Sequence, residues 1–351
     1  MEPVSELLTE QEAAIYDRQI RIWGADAQRK LSKARILVVG ITGVVAETCK
    51  NIVLAGIGSL VLMDDSPMTF EASAANFLVP FDELEGQGNS IATVCASSLR
   101  DFNPMVQVSV EEGGISSKPD EFYDRFDAVI MGRSSITLRT QVNEACRKRP
   151  HRIAFYSVDC RGTCGSLFVD LQRHSFTSKV ISVPLLSVSP NSLWVGVMSI
   201  QKAGDDKAAQ QDISFPSLQE ALNVPWSSFN KRTSKLLFAL RIIDQFEVGV
   251  GRRPGQLSSQ DLPDLISYRG KMCAIQKVPE SFVPDNLLQK LASVGGTELP
   301  PVCAIIGGIL GQELIKAMSC KGEPLKNFFF FDASDGKGII ECVVPSQMND
   351  H

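Results

Sequence analysis

The sequence has no surplus of positive charge. Thirty-five Lys and Arg stand against 40 Asp and Glu, a net charge of −5, which argues against a large nucleic-acid surface. It has no basic-then-apolar stretch near its start, where residues 1–20 are acidic and polar, so no secretory leader is expected there. It also lacks a paired-cysteine motif. The nine cysteines are scattered, and the closest pair, Cys160 and Cys164, has no second pair or nearby histidine to complete four ligands. Zinc is therefore not expected, and the thiols read as free in a reducing, intracellular compartment. One stretch lacks charge altogether: residues 180–201 (VISVPLLSVSPNSLWVGVMSIQ). A membrane-spanning helix needs about 20 apolar residues, but this run holds two prolines, a glycine, an asparagine and five serines. It reads as a loop, and no membrane is expected.

What is present is ordinary for a globular chain: 351 residues, 44% hydrophobic and 21% charged, enough for roughly two domains. Thr9-Glu-Gln-Glu12 has the form of a capping box that opens a helix. Beyond it, Arg18 and Arg21 are three apart and share a helix face. Continuous apolar runs at Ala34–Val39 and Ser59–Met63, and further runs at Val106–Val110, Asp127–Met131 and Ile153–Val158, read as buried parallel strands. Helical patterns fall between them at 43–55, near 86–101, at 118–125 and at 136–148. This alternation predicts an α/β fold, a Rossmann-like doubly wound and mostly parallel sheet. After Cys160 the alternation stops. One more strand is expected at Gly165–Leu171, a polar linker at 202–212, and a largely helical stretch over 216–292 with its clearest helix at Lys231–Glu247. A long apolar helix is expected from Pro300 through Met318, then strands at Phe328–Phe331 and Ile339–Val344. The organisation expected is therefore a first Rossmann-like part at 1–175, a helical insertion at 176–296, and a return to the core at 297–351.

The strand-to-helix turn carries the first functional signal. A dinucleotide loop needs G-x-G-x-x-G: one glycine for the turn, one for close approach of the pyrophosphate, one for helix packing. Here the turn reads Gly40-Ile-Thr-Gly43-Val-Val45, with Thr42 and Val45 in the second and third glycine places. The context is that of a nucleotide fold, yet a side chain at Thr42 points where phosphate oxygens would sit. Autonomous nucleotide binding is not expected, and neither is NAD-dependent redox chemistry. Asp64 and Asp65 follow the second strand, and Asp64 reads as a strand-end residue rather than a metal ligand.

Tyr16-Asp-Arg-Gln-Ile-Arg-Ile-Trp-Gly24, followed by this degraded loop, resembles the non-adenylating half of the activating enzymes for ubiquitin-like proteins. The resemblance continues at Lys50-Asn51, Leu54-Ala-Gly56, Phe102-Asn-Pro-Met105 and Asp159–Gly162, and resumes at Pro300–Lys316 and Lys326–Gly338. Within that group it is similar to the small subunits of SUMO-activating enzymes, plant forms in particular; relatives acting on NEDD8 are longer. The resemblance implies an obligate heterodimer with a large, catalytic-cysteine subunit, SUMO as the second partner, and a nuclear location. It implies that ATP and Mg²⁺ are bound mainly by the partner subunit. It implies that Arg18 acts as an arginine finger in trans, with Arg21 as the second candidate. Ala74-Ala-Asn76-Phe77 lacks the arginine and glutamine that the adenylating half carries after its second strand, and no cysteine matches a thioester position. The alternatives are the equivalent subunit for NEDD8 or another ubiquitin-like modifier, and a non-enzymatic scaffold with the same fold. The short basic cluster Arg147-Lys-Arg149 with Arg152 is either a helix end or a weak import signal.

Overall fold

A computed structural model of the chain describes residues 8–66, 74–80, 89–179 and 208–345. The uncharged run 180–201 and the first part of the expected linker, 202–207, lie outside the described residues.

Three short helices come first: α1 (Glu10–Ile15), α2 (Asp17–Trp23) and α3 (Ala25–Leu31). The capping box is present at α1, where Thr9 and Glu12 each accept from the other's backbone. Then β1 (Arg35–Val39), α4 (Gly43–Leu54), β2 (Ser59–Met63), α5 (Ile91–Phe102), β3 (Gln107–Val110), β4 (Ala128–Met131), α6 (Ile136–Arg147) and β5 (Ala154–Arg161) build the alternating part. The stretch expected as a helix at 118–125 is a 3₁₀ helix, Asp120–Arg125, entered from Pro119.

The main sheet runs β10-β9-β6-β5-β4-β1-β2-β3. Strands β3, β2, β1, β4 and β5 are parallel, whereas β6 (Cys164–Asp170), β9 (Phe328–Asp332) and β10 (Lys337–Glu341) extend it antiparallel. Strand side chains alternate between faces, which explains why the apolar runs are continuous: both faces are covered. Ile36, Val38, Leu60, Leu62, Ile130 and Tyr156 enter one buried cluster. Leu37, Val39, Val61, Met63, Val129 and Phe155 enter the other, beneath α6 and the later helices.

The first cluster is closed by α4 and α11 (Pro300–Ser319). These two helices approach closely because α11 presents glycines. A Cβ on Gly307 would lie 2.6 Å from Glu47 Cβ and 2.9 Å from the Val44 carbonyl. One turn on, Gly311 sits against Asn51. By length and composition α11 could cross a membrane, but two thirds of it is buried inside this chain. It is a core helix.

Two expectations fail. The polar segment 202–212 is no linker where it is described: Ala208–Ser214 is strand β8, paired antiparallel with β7 (Arg173–Lys179). Its sequence, AAQQDIS, has too little apolar alternation to signal a strand. Pairing with β7 and the packing of Ile213 on the core hold it instead. The helix expected from Lys231 begins at Lys235. The Asn230 side chain accepts from the Arg232 and Thr233 amides, and Glu341 accepts from Ser234 N, so these amides are satisfied in a turn. That helix, α8 (Lys235–Gly249), follows the short α7 (Leu218–Leu222) and precedes α9 (Leu262–Ile275) and α10 (Asp285–Val294).

Candidate functional site: a filled crevice and an exposed arginine

In an open α/β sheet, ligands bind beyond the carboxyl ends of the strands where the strand order reverses. Here that place lies between β1 and β4. Gly40 takes φ +78°, which only glycine adopts without strain, and turns the chain off β1. Asp64 accepts from Ile41 N at 2.7 Å and from Ser66 N at 3.0 Å, so it ties β2's end to the turn as a strand-end residue. Asn76 donates to the Ile41 carbonyl from the other side.

Thr42 is the residue before α4, but its side chain makes no capping bond and its hydroxyl is buried without a partner in the described chain. The cap comes from far away. Glu298 accepts from Gly43 N at 2.6 Å and from Val44 N at 3.4 Å. A carboxylate therefore occupies the amide-lined end of α4, where a Rossmann fold holds pyrophosphate. Val45, in the third glycine place, is buried and fits because Gly132 faces it: a Cβ on Gly132 would sit 3.0 Å from a Val45 methyl and 2.3 Å from the Gly40 carbonyl. Above Gly43 the Ala75 carbonyl leaves no room, lying 2.6 Å from where a Cβ would be.

Glu298 is held from two sides. Arg133, just past β4, donates to the Gly296 carbonyl at 2.5 Å, to Asp159 at 2.7 Å and to the Cys160 carbonyl. Gly162 N donates to the Thr297 carbonyl at 2.7 Å. From Asp159 the network continues to Arg161 at 2.9 Å, and from Arg161 to Glu247 on α8 through bonds of 3.0 and 3.2 Å. Burial pushes the Glu298 carboxyl above its ordinary range, against the pull of Arg133 and the two amides. Burial would also raise Asp159, but Arg133 and Arg161 outweigh it and hold that carboxyl below its ordinary range. The sequence gives no hint of Glu298 or Arg133, since nothing in a lone loop carboxylate announces an amide partner 255 positions away.

The motif around Arg18 is organised in the opposite way. Tyr16 is 2% exposed. Its hydroxyl accepts from Asn103 at 2.8 Å, and its ring lies where Gly56 has no Cβ, 2.4 Å from the position one would take. Gln19 donates to the Leu54 carbonyl, Trp23 to Gln28, and Gln28 to the Ala55 carbonyl. Three of the motif segments thus meet here and fix one side of α2. The other side faces outward. Arg18 is exposed and makes no ion pair or hydrogen bond within the described residues, whereas Arg21 pairs with Asp17 at 2.9 Å. Ile22, one turn past Arg18, is 64% exposed, and Ile15 is 51% exposed.

The sequence matches the ThiF family over residues 16–350. The chain belongs to the ThiF family. It is similar to SUMO-activating enzyme subunit 1B-1 of Arabidopsis thaliana, 50% identical over 95% of this chain and 97% of that one. Subunit 1A of the same plant is 49% identical over 97% and 98%. SUMO-activating enzyme subunit 1 of Xenopus laevis is 35% identical over 96% and 97%. Among solved structures, a crystal structure of selenomethionine PaaA matches with a TM-score of 0.57 at 12% identity, over 98% of this chain and 77% of that one, which is a likeness of fold.

In this ThiF-family chain all nine cysteines are free. Seven are buried, Cys320 is half-buried and Cys342 is exposed. Burial pushes Cys49 and Cys146 far up, and Cys95 up to about 12, so these thiols stay protonated. Cys160, Cys303 and Glu298 converge, with ligand atoms within 4.8 Å of one another. The hydrogen bond with Cys303, then burial, holds Cys160 well above the ordinary thiol range, and the Glu298 oxygens already face the α4 amides. Of the basic cluster, Arg147 pairs with the buried Asp170 and Arg149 with Asp124, while Arg152 donates to the Ala317 carbonyl.

Proposed function

We propose that the chain is the small, complementing subunit of a heterodimeric SUMO-activating enzyme and the non-adenylating half of its adenylation pair. Near-full-length relatives at 35–50% identity, all bearing that subunit's name, carry the reading. The higher identity to the Arabidopsis subunits supports a plant-like form. In this reading ATP and Mg²⁺ sit on the large subunit, which adenylates the SUMO C-terminus and then takes it as a thioester on its own cysteine. The loop supports the division of labour, because Glu298 already occupies the amides on which a phosphate would sit.

What this chain adds is a fixed cation. α2 is anchored through Tyr16 and Gln19, so the position of Arg18 is set by the core while its guanidinium has no partner among the described residues. Charge grows on phosphate oxygens as an acyl adenylate forms, and a guanidinium placed across the interface offsets it through paired hydrogen bonds. Supplied from a second chain, it makes activity depend on assembly. Arg21, occupied by Asp17, is the lesser candidate. Ile15 and Ile22 beside Arg18 give this face the apolar contact that a partner would cover. No cysteine of this chain is assigned a thioester role, since seven of nine are buried. The nuclear location is part of the proposal and rests on the family; the ion pairs of Arg147 and Arg149 speak against an import signal there.

The test is co-expression with a SUMO-type large subunit and an ATP-dependent SUMO thioester assay on each chain and on the pair. Only the pair is expected to charge SUMO, with the thioester on the large subunit. If the pair charges NEDD8 and not SUMO, the modifier is wrong; if the large subunit charges SUMO equally well without this chain, the scaffold reading replaces the catalytic one.

A further inference from the structure

The crevice at the end of β1 is not an empty relic. We propose that it is still an anion site and that Glu298 is its resident ligand: a carboxylate of the chain itself stands in for a nucleotide phosphate and keeps this half closed by occupancy. The proposal rests on the reading of this half as non-adenylating and says how the closure is achieved.

Three observations carry it. The first is chemical. The amides that open a helix present partial positive charge with no internal acceptor, and anions settle there. α4 is 12 residues long, and the Thr42 side chain does not cap it. The acceptor is a carboxylate whose two oxygens reach two successive amides, Gly43 and Val44. That is the arrangement in which a phosphate is bound, with carbon in place of phosphorus. The second is the way Glu298 is delivered. Arg133 grips the Gly296 carbonyl and Gly162 the Thr297 carbonyl. The two residues preceding Glu298 are thus clamped by groups just past the ends of β4 and β5, and the carboxylate arrives already placed. The third is the shape around it. Ala75 leaves no space above Gly43, and Gly132 is pressed against Gly40 and Val45. The Glu298 carboxylate fits there, and a phosphate seated on the same two amides would have to take its place. Loss of the second and third glycines would by itself only weaken nucleotide binding. A tethered anion excludes it, because a nucleotide would have to displace a ligand that cannot diffuse away.

The experiment uses the full chain and follows amide hydrogen exchange at Gly43 and Val44. In the native protein both amides are expected to be protected, as core helix amides are. In Glu298→Ala their exchange is expected to rise about ten-fold or more, the equivalent of losing a hydrogen bond to a charged acceptor. Formate or acetate should bring it back where chloride at equal ionic strength does not. Glu298→Gln keeps the volume and removes the charge; its exchange is expected to rise less, and formate should not restore it, because the space is filled. Native-level protection in Glu298→Ala, or rescue by chloride as good as by formate, overturns the proposal. Should the alanine variant not fold, the unmodified chain decides: a Gly43 amide exchanging as fast as one in an exposed loop overturns it, and a protected one supports it. Binding of ATP at this loop in the native chain would instead sink the non-adenylating reading, whereas absence of ATP binding together with failed formate rescue sinks only the assignment of Glu298.

Discussion

Two places in this molecule hold two arginines each, and they use them in opposite ways. At the sheet's crevice every guanidinium nitrogen of Arg133 and Arg161 is committed: to Asp159, to Glu247 and to backbone carbonyls. On α2, Arg18 has no partner among the described residues, and Arg21 has one exposed neighbour. Buried charge must be paired or it destabilises the fold. Exposed charge can remain available, and the chain invests Tyr16, Gln19, Gly56 and Asn103 in holding that helix still. One arginine pair therefore belongs to the architecture, and the proposed function assigns the other to an encounter with a partner subunit.

The sharpest way to break this contrast is to remove Arg18. In the reconstituted pair, Arg18→Ala is expected to slow SUMO adenylation by about 100-fold or more, as loss of a charge-stabilising donor does. The melting temperature of the chain should stay unchanged. Arg21→Ala should fall within about three-fold of the native rate, since an exposed, locally paired side chain contributes little. Equal effects of the two would dissolve the distinction between them.

On the other side of the comparison, Arg161→Met leaves the buried Glu247 without its cation and Asp159 with Arg133 alone. A loss of about 3–5 kcal/mol is expected in denaturant unfolding, the usual result of breaking a buried pair from one side. A loss below about 1 kcal/mol would mean that the network is solvated rather than structural.

Acid should reach the buried groups first. The His174 ring is buried against Phe176, and its Nε2 has no partner in the described chain. Burial, with Arg152 and Lys30 nearby, lowers its pKa to about 4. The unfolded chain takes up this proton near pH 6.5 and the folded chain only near 4, so stability falls as pH drops through that window. The Asp159 carboxyl is depressed instead. Its contribution is complete above about pH 4 and is lost as pH falls further, through its folded value. Thermal melts of the native chain between pH 7 and 4 should therefore slope downward, and His174→Gln should flatten that slope. An unchanged slope in the variant would place the titrating group elsewhere.

The smallest effect concerns the anchor of α2. Tyr16→Phe removes the hydroxyl that accepts from Asn103 and leaves the ring on Gly56. About 1 kcal/mol of stability is expected to go, together with a few-fold loss of pair activity through looser placement of Arg18. Loss of stability without loss of activity would separate the anchor from the arginine.

Much of this was legible in the sequence, for identifiable reasons. The central strands of the main sheet follow from apolar runs that burial on both faces requires, whereas the exposed edge strand β10 was expected at 339–344 and lies at Lys337–Glu341. The capping box at Thr9 and the proline start of α11 are local signals, and local signals read well. The faulty glycine loop was visible because its defect lies within six consecutive residues. β7 and β8 were not visible, since AAQQDIS becomes a strand only by pairing with a segment that carries no stronger pattern. Nor was Glu298, whose role depends on the loop before α11 folding back onto α4. Glycines showed their meaning only in three dimensions: Gly56 exists for Tyr16, Gly132 for Val45 and Gly307 for α4.

In the proposed function this chain is closed to nucleotide and acts through a partner. Titration of ATP with Mg²⁺ into the isolated full-length chain, followed by calorimetry, tests it most directly. No binding heat is expected at millimolar ATP. Stoichiometric, saturable binding by the lone chain would contradict it.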